Sequence, residues 1–205
     1  MPRGRIYIVD DDDAVRESLG FQLEAAGYAV TTFPSGADFL KAAPKLAPAC
    51  LVLDVRMPQM DGLELQVCLN NLGLAFPIVM ITGHGDVPKA VQAMRAGAID
   101  FVEKPFSEDS ILASVERALA SLAPMVGGGD RAVALDRLAL LSAREREVLE
   151  GLVTGLPNKG IAFELGLSPR TVEIHRARLM DKMQVRSLAE LVRLAIAADI
   201  KLRSG

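Results

Sequence analysis

Between residues 1 and 122 short apolar runs alternate with amphipathic stretches. Ile6 to Val9, Ala29 to Phe33, Cys50 to Leu53, Ile78 to Ile81 and Ile99 to Val102 are compact runs rich in β-branched residues, separated by segments of roughly helix length. Parallel strands need crossovers, and strands buried on both faces are apolar without alternation. The pattern therefore predicts an α/β unit with five parallel strands covered on both sides, closed by an amphipathic helix from Ser107 to Leu122. The composition then changes. Residues 123–130 run Ala-Pro-Met-Val-Gly-Gly-Gly-Asp, where proline and three glycines disfavour regular structure. From Leu138 the periodic segments are all helical: Ser142 to Val153, Asn158 to Leu165, Ser168 to Met183 and Leu188 to Ala198, with Ser142, Asn158, Ser168 and Ser187 as candidate N-caps. The expected organisation is a first domain at 1–122, a linker at 123–137 and a helical domain at 138–205.

Composition narrows the class. With 205 residues, 50% of them hydrophobic and 24% charged, the chain can bury two cores and is not a disordered polymer. No apolar run approaches the roughly 18–20 residues that span a bilayer, so the expectation is a cytoplasmic protein without a membrane partner. Cys50 and Cys68 lack C-x-x-C spacing and neighbouring histidines, which favours buried structural thiols over a zinc site or disulfide frame. The net charge of −3 hides a division: residues 1–122 carry 16 acids against 10 bases, net −6, and residues 123–205 carry 10 acids against 13 bases, net +3. Different partners are implied for the two halves, with nucleic acid the first expectation for the basic one.

Placed on the predicted strands, the polar residues of the acidic half gather at one end of the sheet. Asp10 and Asp11 follow the first strand, Asp54 ends the third, Thr82 ends the fourth and Lys104 follows the fifth. Ligands of open α/β sheets bind beyond the carboxyl ends of the strands, so these residues are expected in one pocket. Three crowded carboxylates repel one another unless a cation intervenes, and an all-oxygen donor set suits Mg²⁺. Lys104 and Thr82 add an ammonium and a hydroxyl suited to a phosphoryl group. Without a Walker lysine motif, a cysteine or a Ser-His pair here, the best nucleophile is the carboxylate of Asp54, which would become an acyl phosphate. Asp12 is the alternative if the acid run Asp10 to Asp13 is shifted by one. Phe101 is either a core aromatic or a mobile one, Thr82 could simply cap its strand, and His84 fits a solvated turn residue.

Val-Asp-Asp after the first strand, Asp-Val-Arg-Met-Pro-Gln-Met-Asp-Gly at 54–62, Ile-Thr-Gly at 81–83 and Glu-Lys-Pro-Phe at 103–106 resemble the receiver domain of two-component response regulators over residues 3–122. The resemblance implies a flavodoxin-like fold with strand order 2-1-3-4-5. It also implies Asp54 as phosphoacceptor, and a Mg²⁺ site made of Asp10, Asp11, Asp54 and the carbonyl of Arg56. Lys104 would bind the phosphoryl group, Thr82 and Phe101 would switch position with phosphorylation, and the Lys104–Pro105 bond would be cis. A sensor histidine kinase would be the phosphodonor. The face from Asp86 to Val102 would then pair two receivers and free the second domain.

In the basic half, Asn158 to Leu165, a Gly-Leu-Ser turn and Pro169 at a first helical position match a helix-turn-helix. On the second helix of the motif Val172, Leu179 and Met183 recur at helical spacing and predict a buried stripe, which leaves Glu173, Ile174 and Ala177 to project elsewhere. These three could reach base edges, while Arg170, Thr171, Arg176, Arg178 and Lys182 suit phosphates, with Lys159 on the preceding helix. His175 is expected to pack or to touch a phosphate. Leu-Ser-Ala-Arg-Glu-Arg-Glu-Val-Leu at 141–149, Asn-Lys-Gly-Ile-Ala at 158–162 and Ser-Pro-Arg-Thr-Val-Glu-Ile-His-Arg at 168–176 are similar to the LuxR-type four-helix DNA-binding domain over 138–200. The two resemblances together make the NarL/FixJ class of response regulators. Membership implies promoter duplex DNA and RNA polymerase as partners, a homodimer when phosphorylated, and transcriptional regulation rather than enzymatic turnover. Gly-His-Gly-Asp-Val at 83–87 and Gly-Leu-Pro-Asn-Lys at 155–159 look nearest to the nitrogen-fixation members of the class. A dehalogenase-like phosphatase would also use an aspartyl phosphate, but it needs an Asp-x-Asp after the first strand and a substrate cap, and neither fits well.

Overall fold

The computed structural model describes residues 2–83, 87–122 and 129–198, and the chain divides into two compact units, Met1–Met125 and Val126–Gly205. In the first unit five strands, β1 (Arg5–Val9), β2 (Ala29–Phe33), β3 (Cys50–Asp54), β4 (Ile78–Thr82) and β5 (Asp100–Glu103), alternate with helices α1 (Asp13–Ala25), α2 (Gly36–Ala42), α3 (Gly62–Asn71), α4 (Val87–Arg95) and α5 (Glu108–Ala120). Every strand pair is parallel and the order is β2-β1-β3-β4-β5, the expected flavodoxin-like arrangement.

Both faces of the sheet are buried, as the continuous apolar runs require. On one, Ile6, Ile8, Cys50, Val52, Val79 and Ile81 meet Leu19 and Leu23 of α1 and Ile111, Val115 and Ala118 of α5. On the other, Tyr7 packs with Phe33, Phe39 and Phe76 at ring separations of 5.9–6.2 Å, and its hydroxyl donates to the carbonyl of Ala47 at 3.1 Å. Cys50 is fully buried, and desolvation pushes its thiol up to about 12, which keeps it inert. Cys68 is only half-buried, a departure from the expectation for both thiols.

The second unit holds α6 (Gly129–Ala139), α7 (Ala143–Val153), α8 (Asn158–Leu165), α9 (Pro169–Met183) and α10 (Leu188–Ala197). The last four match the predicted segments closely. The first does not, because the segment expected to be linker at 123–137 is helical from Gly129 onward. Residues 123–128 lie outside the described residues. The glycines masked a docking helix: Ala134 and Leu138 are buried, Arg137 donates to the carbonyl of Met183 at the end of α9 at 2.9 Å, and Arg146 of α7 donates to the carbonyl of Leu138 at 2.8 Å. Tertiary burial outweighs a weak local propensity.

Ser142, Ser168 and Ser187 each cap a helix through their hydroxyls. Asn158 does not. The residue preceding α8 is Pro157, which offers no side-chain cap, and the Asn158 amide oxygen instead accepts from Arg176 Nη1 at 3.4 Å. Between α8 and α9 Gly166 takes a left-handed conformation with φ 64°, which costs glycine little and most other residues more.

Glu145 ties the start of α7 to the end of α9. Its Oε2 accepts from the Ser142 amide at 2.8 Å in a capping box and from Lys182 Nζ at 2.7 Å, with the carboxylate buried. Lys182, expected at a phosphate, is half-exposed and pairs here with Glu145. The Lys182 and Ser142 bonds outweigh burial and lower the Glu145 pKa from its ordinary 4.5 to about 2. A depressed folded-state pKa means the contribution is complete above the unfolded value of 4.5 and is lost as pH falls from there towards 2. The Glu145→Gln variant is expected to destabilise the helical unit by about 1–3 kcal/mol at neutral pH and to flatten its stability profile between pH 4.5 and 2 relative to the parent chain. Chemical unfolding followed by circular dichroism across that range checks both.

Candidate functional site

The ends of β1, β3 and β5 converge because parallel strands in register bring their carboxyl ends to one edge. Asp10 follows β1, Asp54 is the last residue of β3, and Lys104 follows β5. Asp10 is 1% exposed and Asp54 6%, so both carboxylates are held out of water. Lys104 Nζ bridges them, donating to Asp10 Oδ2 at 3.0 Å and to Asp54 Oδ1 at 2.6 Å. Burial would lower the lysine pKa, but hydrogen bonds to Asp54 and Asp10 and their charges outweigh it and raise it above the ordinary value. Burial also pushes the Asp54 carboxyl up; the hydrogen bond and charge of Lys104 oppose this, the charge of Asp10 adds to it, and the Arg56 amide opposes it. A carboxylate of raised basicity is the better nucleophile once deprotonated.

Each remaining oxygen has a defined partner. Asp54 Oδ2 accepts from the Arg56 amide at 2.7 Å, and Asp10 Oδ1 from the Asp12 amide at 2.9 Å. Thr82 at the end of β4 is fully buried, its hydroxyl donating to the Gly83 carbonyl at 3.4 Å. Phe101 is buried within β5, and the Lys104–Pro105 bond is cis. His84 lies outside the described residues.

Asp11 departs from expectation. It is exposed, and among the described residues no three His, Cys, Asp or Glu side chains group closely enough to hold a metal. The anticipated cluster of three carboxylates is instead a cluster of two, neutralised by the Lys104 ammonium. The acid run diverges after β1: Asp10 turns into the site, whereas Asp12 caps α1 by accepting from the amides of Ala14 and Val15. Asp12 is therefore not the substitute the one-residue shift would require.

Further supports come from residues outside the predicted site. Arg16 Nη1 donates to the Asp10 carbonyl at 2.7 Å and its guanidinium pairs with Asp13, clamping the acid run. Its spacing of six from Asp10 was the available signal. Asp61 caps α3 in a reciprocal box with Glu64 and accepts from Lys89 Nζ of α4 at 3.0 Å, while Gln66 donates to the Ala93 carbonyl at 3.1 Å. Gly62 permits the start of α3 to pass directly beneath Asp54.

On the second unit the buried stripe of α9 is as predicted, with Val172, Leu179 and Met183 inaccessible. Glu173, Ala177 and Arg178 are exposed and Ile174 is 44% exposed. Lys159 and Arg170 are also exposed, the latter facing Glu173 at 3.4 Å. Thr171 shares a hydrogen bond with Ser168 at 2.8 Å within the cap, and Arg176 is half-buried against Asn158. His175 is half-buried, and its Nδ1 is buried without a hydrogen-bond partner.

A parallel sheet with a lysine-bridged aspartate pair at its carboxyl edge, joined to a helix-turn-helix unit, defines a response regulator. Residues 6–116 match the family model of the response regulator receiver domain and residues 139–195 that of bacterial regulatory proteins of the luxR family. The chain belongs to the NarL/FixJ family of response regulators and is close to FixJ. It is 51% identical over 201 residues to transcriptional regulatory protein FixJ of Bradyrhizobium diazoefficiens, covering 97% of each chain. It is 50% identical over 193 residues to FixJ of Rhizobium meliloti, covering 94% of this chain and 95% of that one. The crystal structure of full-length FixJ from B. japonicum matches with a TM-score of 0.59 over 97% of this chain and 98% of that chain. These relatives are transcriptional regulators, and the chain is a transcription regulator rather than an enzyme. Among the described residues no helix is long and apolar enough to cross a membrane.

A Cβ added at Gly62 would lie 2.4 Å from the Asp54 carbonyl oxygen, a backbone atom that cannot move aside cheaply. The Gly62→Ala variant is expected to destabilise the receiver by about 1–3 kcal/mol, measured by denaturant unfolding. Unchanged stability would contradict the close approach.

Proposed function

We propose that Asp54 accepts a phosphoryl group from a sensor histidine kinase of the FixL type, and that the modified receiver dimerises and places two helix-turn-helix units on promoter DNA. The observation that carries this reading is the Lys104 bridge between two buried carboxylates. It holds Asp54 charged, basic and aligned at the edge of the sheet, with a donor already beside the oxygen that attacks. As the bond from Asp54 to phosphorus forms, the phosphorus–nitrogen bond of the donor histidine breaks and the imidazole leaves. Lys104 then pairs with a phosphoryl oxygen, and the Thr82 hydroxyl, one residue beyond the Ile81 that pairs with Asp54, turns towards another. Phe101 is the aromatic that would shift with it.

The donor chemistry fits Mg²⁺ in part. Asp10 and Asp54 are buried and supply only oxygens, as a hard cation prefers. The carbonyl of Arg56 lies on the loop that follows, and Asp11 would have to turn in from the surface. Bound there, the ion would neutralise phosphoryl oxygens. With the ion held by Asp10 and Asp54, Lys104 would be left to hold the group attached to Asp54.

The face formed by α4 and β5 is the proposed dimer surface. Two reading helices then suit a roughly two-fold operator whose half-sites lie about one helical turn apart. Linking them raises affinity through effective concentration. Arg170, Thr171, Arg176, Arg178 and Lys159 are assigned to phosphates, and Glu173, Ile174 and Ala177 to base edges. The working domain boundaries are 1–122 and 138–205. RNA polymerase is the onward partner, the cytoplasm the setting and nitrogen-fixation promoters the targets suggested by similarity to FixJ.

Asp54→Asn is expected to abolish both Mg²⁺-dependent modification by acetyl phosphate, read by intact-mass spectrometry, and the shift from monomer to dimer, read by size exclusion with light scattering. Persistence of both in the variant would remove Asp54 from its role. Separately, Arg178→Ala should weaken binding to all duplexes alike and lower the salt slope by about one, whereas Ile174→Ala should change sequence preference. Titrations of both variants on matched and scrambled duplexes separate the two effects.

A further inference from the structure

The exposed face of α9 carries a negative charge where a surface addressed to DNA would be expected to carry none. Glu173 projects beside Ile174 and Ala177, its side chain 52% exposed, and among the described residues its carboxylate pairs with Arg170 alone, at 3.4 Å, a pair between two exposed groups in the first turns of the helix. Such a pair is weak in water and easily exchanged. Among the described residues Glu173 pairs with no other helix, whereas Lys182 is tied to Glu145 of α7 and Arg176 to Asn158 of α8. The buried stripe of Val172, Leu179 and Met183 fixes the rotation of α9, so Glu173 cannot be turned away from whatever the face meets.

Resting on the DNA-reading role proposed above, we infer that Glu173 is the specificity-determining residue of α9 and that it selects a cytosine in each half-site. A carboxylate entering a major groove is repelled by phosphates and by the acceptor atoms of guanine and thymine. It is compensated only by an amino donor. Two bases present one there. The adenine amino group stands beside N7, an acceptor that opposes the second carboxylate oxygen, whereas cytosine offers its amino group without an adjoining acceptor on the same base. Glu173 therefore discriminates mainly by penalising wrong bases, and it weakens binding to DNA in general. Released from Glu173, Arg170 is free for a phosphate. Ile174, the next residue on the same exposed side, places an apolar group able to meet a thymine methyl at a neighbouring position.

The test is selection of bound duplexes from a random library by the full chain, with and without acetyl phosphate and Mg²⁺, for the parent and for Glu173→Ala and Glu173→Gln. The parent should enrich one cytosine per half-site by on the order of ten- to a hundredfold over other bases. Glu173→Ala should lose that preference alone and bind unselected DNA more tightly. Glu173→Gln should shift it to adenine, whose N6 and N7 suit an amide. An unchanged cytosine preference in both variants, with parent-like thermal unfolding, overturns the inference while leaving the DNA-reading role intact. A parent chain that enriches no sequence under either condition overturns both.

Discussion

Two carboxylates buried at one edge of a sheet cannot both carry charge without a cation, and in this chain the cation is the Lys104 ammonium. It is shared between Asp10 and Asp54. Nothing local in sequence produces that arrangement, because the three residues span 94 positions. What produces it is the parallel sheet. Each strand delivers its last polar residue to the same side, and the strand registers, Val9 with Leu53, Asp54 with Ile81 and Thr82 with Glu103, set their depth. The unusual chemistry sits where the apolar runs stop, and the tension between burial and charge at that point is what a covalent modification can relieve or redirect.

The neighbouring elements make sense as constraints on that pair. Arg16 holds the Asp10 carbonyl, Arg56 gives its amide to Asp54, and Gly62 allows α3 to begin directly below. α3 in turn is tied to α4 by Lys89 and Gln66. A change at Asp54 thus meets a packed and hydrogen-bonded environment with few continuous adjustments available, the condition under which small local shifts become discrete rearrangements.

Much of this was legible in the residues. The strands were visible because burial on both faces removes alternation, and the helices of the second unit because their apolar period is regular and serines mark three of their starts. The errors have physical causes. The linker expected at 123–137 is helical from Gly129 because the burial of Ala134 and Leu138 that stabilises α6 is a tertiary effect, invisible beside the glycines' low helix propensity. Asn158 was taken for a cap on residue type, but Pro157 occupies that position. The Lys182–Glu145 pair is not legible in periodicity, which places a side chain on a face without saying what comes to meet it from 37 residues away. The exposure of Asp11 beside the buried Asp10 is likewise not legible in the acid run, because consecutive residues leaving a strand point in different directions.

The two units place their charges by opposite means. In the receiver, burial concentrates charge and one lysine contains it. On α9, charge is displayed, and its value depends on what it faces. Arginines on such a surface attract any duplex, so they cannot choose among sequences. Selectivity has to come from groups that are unwelcome in most places, and an exposed carboxylate such as Glu173, beside Arg170, has that property. A regulator whose reading face carried only positive charge would bind DNA more strongly and distinguish less. Under the proposed pairing of receivers, phosphorylation rather than basicity would decide when a site is filled.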